Sequence, residues 1–157
     1  TIIPSTKGMG GFSMNIPPDR MYYRKKDVEN SIKIALAGRA AEEIIFGKDD
    51  VTTGASNDLE RATEVLLDMV RRCGMGKNTG LLNYDVLYNN GVRQVSDEVL
   101  EQCRQTMDLY YKEVKSLLLM HEGTLRAVAI TLLEKETLDE DALDKIIMEC
   151  EKGRETA

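Results

Sequence analysis

The stretch VTTGASNDLERAT, residues 51–63, predicts a turn containing Gly54 that leads directly into a helix. Ser56 or Asn57 is the predicted N-cap, and Glu60 completes an Asn-x-x-Glu capping box. Beyond the cap, apolar residues recur at three- and four-residue spacing and predict a buried seam: Leu59, Ala62, Leu66, Met69 and Cys73. The stretch therefore predicts an amphipathic helix with the acid Asp58 in its first turn.

The segment before this stretch predicts a long helix from about Lys26 to Phe46, with Gly47 as its C-cap. The predicted buried stripe is mostly apolar but contains charge: Val28, Ile32, Ala35, Leu36, Arg39, Ala40, Glu43 and Ile44. Glu42 and Glu43 point about 100° apart around the helix axis. At least one of these two acids is therefore expected to face inward.

The second half of the chain predicts three more helices behind a long surface loop. Residues 77–95 lack helical periodicity and contain the turn signal YNNG, which leaves room for one extended piece. Ser96 opens the third helix, Gly123 separates it from the fourth, and a Thr137-x-x-Glu140 capping box opens the fifth. The third helix carries a long stripe: Val99, Cys103, Met107, Tyr110, Val114, Leu117 and Leu118.

The N-terminus differs from the helical remainder. TIIP and FSMNIP are short β-prone runs on either side of the turn-rich connector STKGMGG, and they predict a small hairpin over residues 1–18. A chain of 157 residues is the size of one domain and needs no metal or disulfide to fold. The expected fold class is mainly α, a helical bundle of about five helices with a small N-terminal β-hairpin.

Composition excludes several classes of function. With 27 acidic against 21 basic residues, the chain lacks the basic surface of a nucleic-acid-binding protein. Its three cysteines are an odd number without a C-x-x-C pair, which favours a reducing compartment over a disulfide framework or a zinc knuckle. No signal peptide, no apolar run near the ~20 residues of a membrane span and no phosphate loop for ATP is visible. The chain as given is therefore expected to be soluble.

The single histidine excludes the common catalytic constellations. His121 begins HEGTLR, but the position four residues later is Leu125, so one helix face cannot present two imidazoles to a metal. No Ser-His-Asp or Cys-His set follows from the sequence either. His121 is expected near a helix C-terminus, where an imidazolium suits the helix dipole.

The acidic residues divide into surface charges and one candidate. Asp49 and Asp50 are interpreted as a solvated pair. On the residues alone, Asp58 beside Asn57 is explained by capping and the helix dipole, a gain of about 1 kcal/mol. Spacing by itself does not make Asp58 a metal ligand.

Longer blocks of sequence change the interpretation of Asp58. TTGASNDLERAT, GRAAEEIIFG ahead of it, and TIIP with GGFSMNIP at the start resemble the peptidase domain of the FtsH-type ATP-dependent zinc metalloproteases, a membrane-anchored AAA protease family. The segment LLLMHEGTLRAVAITLLEKETLDEDAL is similar to the family's closing helices. Nearly the whole chain is covered, and residues 78–95 are the least similar part.

The resemblance implies roles for two acids. The family holds one catalytic zinc through two histidines of a His-Glu-x-x-His helix and a distant aspartate, which matches Asp58. Two imidazoles, one carboxylate and a water satisfy a catalytic zinc. The family's AEE glutamate, matching Glu42, lies close to those histidines and orients an imidazole. Residues 1–16 correspond to a strand region beside the cleft, where an extended substrate pairs with the main chain.

The His-Glu-x-x-His helix of the family precedes the segment that resembles TIIP, so both histidines and the general-base glutamate fall outside this sequence. We therefore expect a partial peptidase domain over residues 1–157. Its expected parts are the hairpin region 1–18, the helices 24–74 that carry the cleft acids, and the C-terminal helices 96–150.

The resemblance also implies the properties of the intact parent. It would bind catalytic zinc, bind ATP in a separate ATPase domain, and form a homo-hexamer. Anchored in a membrane with its peptidase domain on the cytoplasmic side, it would degrade membrane and misfolded polypeptides. The 157-residue chain alone is expected to be inactive and to bind no zinc tightly. Apolar surface that the absent helix would cover is expected to make it self-associate.

Two other classes stay open. The chain would be a naturally shortened, non-catalytic helical interaction module of the same family if its reading frame starts at or near Thr1. It would be a metal-independent hydrolase if Glu42 and Asp58 form an acid–base pair. Peptidase activity that survives excess chelator and is lost in Asp58→Asn would identify that second class.

Overall fold

The computed structural model describes residues 1–4, 11–14, 21–77, 79–90 and 97–155. The mainly helical prediction is confirmed, since these ranges contain six α-helices: α1 (Lys25–Phe46), α2 (Ser56–Arg71), α3 (Tyr84–Asn89), α4 (Asp97–Met120), α5 (Glu122–Lys135) and α6 (Glu140–Glu155). A short 3-10 turn, Thr53–Ala55, precedes α2. The chain forms two compact units, one of residues 20–119 and one that joins residues 1–19 to residues 120–157.

The core of the larger unit is built by α1, α2 and α4. Its largest fully buried side chains are Ile32, Leu36, Leu66 and Val70. Around them lie other buried residues of the predicted stripes: Ala35, Ala62, Met69, Val99, Cys103 and Tyr110. Cys73, which spacing placed on the same seam, is exposed instead. The reason is that α2 ends at Arg71, and Gly74 turns the chain away with a left-handed φ of 59°.

Gly47 ends α1 as the sequence predicts. It is the C-cap residue, with a φ of 92° that suits glycine, and its N–H donates to the Glu43 carbonyl at 3.1 Å. At the start of α1, the Asp27 carboxylate accepts a hydrogen bond from the Arg24 N–H at 3.0 Å, and the Asp27 N–H donates to the Arg24 carbonyl at 2.9 Å. The two side chains also pair at 2.9 Å. Both ends of α1 are therefore fixed by hydrogen bonds between residues three or four positions apart.

Glu43 ties α1 to α4 with a partly buried carboxylate. Its oxygens accept hydrogen bonds from the Tyr111 hydroxyl and, at 2.8 Å, from the Lys115 ammonium. The Lys115 and Tyr111 bonds hold the pKa of the Glu43 carboxyl below its usual range. Burial and the Glu43 carboxylate raise the pKa of the Tyr111 hydroxyl to about 12, so Tyr111 remains a donor at neutral pH. The expected inward-facing acid is confirmed at Glu43, whose side chain is 17% exposed.

Acid is expected to destabilise the larger unit through Glu43. The pKa of this carboxyl is lower in the folded state than its unfolded value of about 4.3. The interaction therefore contributes stability above that pH and is lost as the pH falls through the folded pKa. In urea unfolding, Glu43→Gln should lose less stability than the wild type between neutral pH and about pH 3. Glu64→Gln, at an exposed position of α2, is the control. Equal acid sensitivity of the wild type and Glu43→Gln would contradict this prediction.

The helix α3 lies inside the segment predicted to be a surface loop. Asn83 opens it, because its side-chain carbonyl accepts hydrogen bonds from the N–H groups of Asp85 and Val86 at 3.1 and 3.2 Å. Asp85 then pairs with Arg71 of α2 at 2.6 Å. The loop prediction was wrong here because a helix of 6 residues is too short to show periodicity. Ser96, the predicted start of the next helix, lies outside the described residues.

The smaller unit contains α5 and α6. His121 follows the last residue of α4 directly, as expected for a residue near a helix C-terminus, and it is also the N-cap of α5. Gly123 was predicted to separate the two helices, but it lies in the first turn of α5. The break therefore comes at His121, two positions earlier than the glycine suggested.

The helix α6 is capped by Asp139, whose carboxylate accepts from the Ala142 N–H at 2.9 Å. The predicted box between Thr137 and Glu140 is not formed. The Thr137 hydroxyl instead donates to the hydroxyl of Thr1 at 2.9 Å. The sequence signal placed this helix start correctly within three residues and misassigned its cap.

The N-terminal segment does not form the predicted hairpin in the part that the structure describes. Residues 1–4 and 11–14 contain no strand, while residues 5–10 and 15–18 of the predicted hairpin lie outside the described ranges. Thr1 and Phe12 exchange two backbone hydrogen bonds of 3.0 Å, but Ile2 donates to the Glu136 carbonyl at the end of α5 at 2.9 Å. The segment therefore bonds to α5 instead of extending a ladder between two strands.

No single helix among the described residues has the length and apolar character needed to cross a membrane. The consecutive helices α4 and α5 meet the criteria of length and composition only when they are taken together across the break between them.

Candidate functional site

The turn before α2 is built around Thr52. Its hydroxyl accepts a hydrogen bond from the Gly54 N–H at 3.1 Å and so caps the 3-10 turn Thr53–Ala55. The helix α2 then begins at Ser56, with Ala55 at the N-cap position and no side-chain cap. The predicted N-cap at Ser56 or Asn57 and the capping box with Glu60 are therefore wrong. The side-chain cap lies at Thr52, ahead of the 3-10 turn that leads into α2.

Glu42 reaches this turn from α1. Its Oε1 accepts a hydrogen bond from the Thr52 hydroxyl at 2.6 Å, and its Oε2 accepts from the Thr52 N–H at 3.4 Å. The Thr52 hydroxyl is the main reason why the pKa of the Glu42 carboxyl is lowered, with a smaller contribution from Arg39. Glu42 is therefore ionised at neutral pH and acts as a hydrogen-bond acceptor.

Arg39 supplies a second link between α1 and the turn. Its guanidinium donates to the Thr52 carbonyl at 2.9 Å and to the Glu42 carboxylate at 3.4 Å. The side chains of Arg39 and Glu42 are 26% and 22% exposed, so these bonds form at a half-covered surface. One turn of α1 thus holds Thr52 from both its carbonyl and its hydroxyl side.

Asp58 lies in the first turn of α2, where the sequence placed it, and it is exposed. Its carboxylate faces α1 at Gly38, since a Cβ on that glycine would lie 3.7 Å from Asp58 Oδ2. Gly38 and Glu42 are four residues apart and therefore share one face of α1. The structure brings both predicted site residues to that face, Asp58 over Gly38 and Glu42 one turn further along.

The described residues can supply one carboxylate ligand of a zinc site and no more. Within the described ranges no group of three or more His, Cys, Asp or Glu side chains is close enough to hold a metal ion. Asp58 meets the requirement for an accessible carboxylate, since it is exposed in the first turn of α2. A catalytic zinc needs two further protein ligands, which no described neighbour of Asp58 supplies.

Sequence reasoning did not identify Thr52 and Arg39 as site residues. Arg39 and Glu42 are three apart on a helix, the spacing of an ion pair, which was a usable signal. Thr52 has no such signal, because its contacts to α1 cross ten or more positions of the sequence. Only the close packing of α1 against α2 reveals it.

Comparison with known proteins supplies the context for these residues. The profile of peptidase family M41 matches residues 1–146. The ATP-dependent zinc metalloprotease FtsH 1 of Alkaliphilus metalliredigens is 53% identical over 147 residues, which cover 93% of this chain and 25% of the relative. The ATP-dependent zinc metalloprotease FtsH of Lachnoclostridium phytofermentans is 41% identical over 148 residues, which cover 94% of this chain and 25% of the relative.

A further relative, the ATP-dependent zinc metalloprotease FtsH of Thermus thermophilus, is 40% identical over 156 residues, covering 94% of this chain and 24% of its own length. The chain thus spans about a quarter of the length of these relatives. Because the family profile matches residues 1–146 of the 157, the chain belongs to peptidase family M41.

Proposed function

We propose that this chain is the C-terminal portion of an ATP-dependent zinc metalloendopeptidase that degrades membrane and misfolded proteins, and that it supplies Asp58 as the third zinc ligand. The observation that carries the proposal is the placement of Asp58, an exposed carboxylate in the first turn of α2, against Gly38 and one turn from Glu42. Membership of peptidase family M41 and the likeness to FtsH zinc metalloproteases support it.

A catalytic zinc with three protein ligands keeps one position for water and lowers the pKa of that water to roughly 7, which provides the nucleophile for a peptide carbonyl. The contribution of this chain is one carboxylate in a fixed place. Asp58 lies on a helix whose Ala62 and Leu66 are buried in the core, so the backbone that carries its carboxylate is held in place by packing. Two histidines and a general-base glutamate would come from a His-Glu-x-x-His helix outside this sequence.

Glu42 is proposed to orient one of those histidines. Oε1 of Glu42 accepts one hydrogen bond, from the Thr52 hydroxyl, and a carboxylate oxygen has two acceptor sites. A second donor such as an imidazole N–H therefore fits on Oε1. The lowered pKa of the Glu42 carboxyl keeps it ionised, which is the state that a metal-bound imidazole requires of its partner.

The proposal extends to the assembly and its partners. The substrates would be polypeptides, and ATP would bind in a separate ATPase domain of a homo-hexameric parent. That parent would be anchored in a membrane with its peptidase domain on the cytoplasmic side. The relatives are ATP-dependent zinc metalloproteases by name, which supports the dependence on ATP and zinc. Nucleic acid is not proposed as a partner, because the chain carries a net charge of -6.

The alternative of a non-catalytic interaction module is favoured by one observation. Large apolar side chains remain exposed on the described helices, among them Ile34 at 60% and Leu133 at 75%. The coding sequence upstream of Thr1 separates the two functions. A His-Glu-x-x-His codon run supports the protease, and a start codon at or near Thr1 supports the module.

A metal-independent hydrolase built on Glu42 and Asp58 is disfavoured by the geometry. A general acid needs a raised pKa, whereas the pKa of the Glu42 carboxyl is lowered by Thr52. Both Glu42 oxygens also accept hydrogen bonds from the turn. Glu42 is therefore arranged to hold its neighbours and to stay ionised.

The 157-residue chain by itself is expected to bind zinc only weakly, because one carboxylate cannot replace three ligands. Calorimetric titration of zinc into the purified chain should show no stoichiometric binding in the nanomolar range. Asp58→Ala serves as the matched comparison, and its titration should look the same. Stoichiometric nanomolar binding that disappears in Asp58→Ala would mean that the chain completes its own metal site, and the proposed division of ligands would then be wrong.

A further inference from the structure

Thr52 uses every polar atom that it has to join α1 to the start of α2. Its hydroxyl donates to Glu42 at 2.6 Å and accepts from the Gly54 N–H at 3.1 Å. Its own N–H donates to Glu42 at 3.4 Å, and its carbonyl accepts from Arg39 at 2.9 Å. A residue that only capped a three-residue turn would need the Gly54 bond alone. The three bonds to α1 serve another purpose.

Close contacts and one buried residue also hold the turn. A Cβ on Gly54 would lie 3.1 Å from the Thr52 hydroxyl and 3.8 Å from Glu42 Oε1. Ala55, the next residue, is buried at 6% exposure. The backbone that follows Thr52 is therefore held by hydrogen bonds on one side and by burial on the other.

We propose that Thr52 is a positioning residue, which uses Glu42 and Arg39 of α1 to fix the turn that carries Asp58 into α2. The inference rests on the proposed function of Asp58. It adds a second role for Glu42. The same carboxylate that would accept a hydrogen bond from a zinc-bound imidazole also accepts one from Thr52, in the turn that precedes Asp58. The two halves of the zinc site would then be set by one side chain, and a metal ligand tolerates only small displacements before affinity falls.

The coupling is tested first in the 157-residue chain by amide hydrogen exchange. Glu42→Ala should speed exchange at the Gly54 N–H about tenfold or more, although Glu42 makes no hydrogen bond to that N–H itself, because Thr52 loses its anchor on α1. Thr52→Ser, which keeps the hydroxyl, should retain the protection. Thr53→Val, at the neighbouring position, is the matched control. Unchanged exchange in Glu42→Ala would overturn the coupling.

The consequence for the metal is tested in the full-length protease by the zinc dissociation constant, measured by competition with a chelating dye. Thr52→Val should weaken zinc binding about 10- to 100-fold, the usual range for a partner that orients a ligand. Thr52→Ser, which keeps the hydroxyl and its hydrogen bonds, should bind zinc with an affinity close to that of the wild type. If Thr52→Val lowers the helix content, Arg39→Met removes the bond to the Thr52 carbonyl and gives the same test.

Asp58→Ala distinguishes failure of this inference from failure of the proposed function. If Asp58→Ala loses zinc while Thr52→Val and Arg39→Met retain wild-type affinity, Asp58 is a ligand and the positioning role of Thr52 is refuted. If Asp58→Ala retains zinc, the proposed function itself fails, and the exchange experiment still decides whether Thr52 couples the turn to α1.

Discussion

Replacing Leu66 by alanine is expected to lower the free energy of unfolding of the larger unit by about 2–5 kcal/mol. Leu66 is 2% exposed and packs in one cluster with Ile32, Leu36 and Val70. The loss has two parts, the transfer of the removed carbon atoms and the cavity that the close-packed neighbours cannot fill. The stability of a domain is only about 5–15 kcal/mol, so this single change removes a large fraction of it.

Urea unfolding followed by circular dichroism measures this effect, with Leu81→Ala as the matched control. Leu81 carries the same side chain in the same unit but is 94% exposed, so its truncation should change the free energy of unfolding by less than about 0.5 kcal/mol. If Leu66→Ala loses less than about 1 kcal/mol, the seam of α2 is not the centre of the core.

The helices with long apolar stripes were predictable from the sequence because burial is periodic in them. Ile32 and Leu36 lie four residues apart on α1, and Ala62, Leu66 and Met69 repeat the same pattern on α2. Such a stripe is visible over several turns, and only a helix buries it on one side. The short elements lack this information. A helix of 6 residues such as α3 is defined by its Asn83 cap and its contact with Arg71, which periodicity does not show.

The helix ends were less predictable than the helices. Ser56, Asn57 and Thr137 are all good capping residues, yet Thr52 and Asp139 act as caps instead. A side-chain cap contributes only about 1 kcal/mol, so neighbouring capping residues differ little in free energy and tertiary contacts decide which of them forms the cap. At the first of these sites the deciding contact is the hydrogen bond from Thr52 to Glu42, which joins residues 10 positions apart.

The sequence suggests the individual residues of the candidate site, but it does not give their arrangement in space. Asp58 and Glu42 follow from the resemblance of their motifs to a protease family. Neither residue alone indicates that the Asp58 carboxylate lies against Gly38, or that Arg39 joins α1 to Thr52 beside it. Those contacts depend on the distance between α1 and α2, which small residues at the interface permit and no local pattern specifies.

The proposed function predicts that Asp58→Ala in the full-length protein abolishes stoichiometric zinc binding and lowers the rate of peptide hydrolysis by at least about 100-fold. Loss of a partner that merely orients a ligand costs about 10- to 100-fold in metal affinity or activity, and loss of a ligand itself should cost more. Zinc content after dialysis and cleavage of an unfolded protein substrate measure the two quantities. Asp49→Ala is the matched control, because it removes the same charge from an exposed turn between α1 and α2.

Folding must be excluded as the cause of that loss, and the position of Asp58 makes this straightforward. Its carboxylate is exposed in the first turn of α2, so its removal should cost only about 0.3–1 kcal/mol of helix-dipole stabilisation. Asp58→Ala in the 157-residue chain should therefore unfold in urea close to the wild type. A variant that folds normally, loses zinc and loses hydrolysis supports the ligand role. If Asp58→Ala instead keeps its zinc and its activity, Asp58 is not a zinc ligand, because loss of a ligand would lower both.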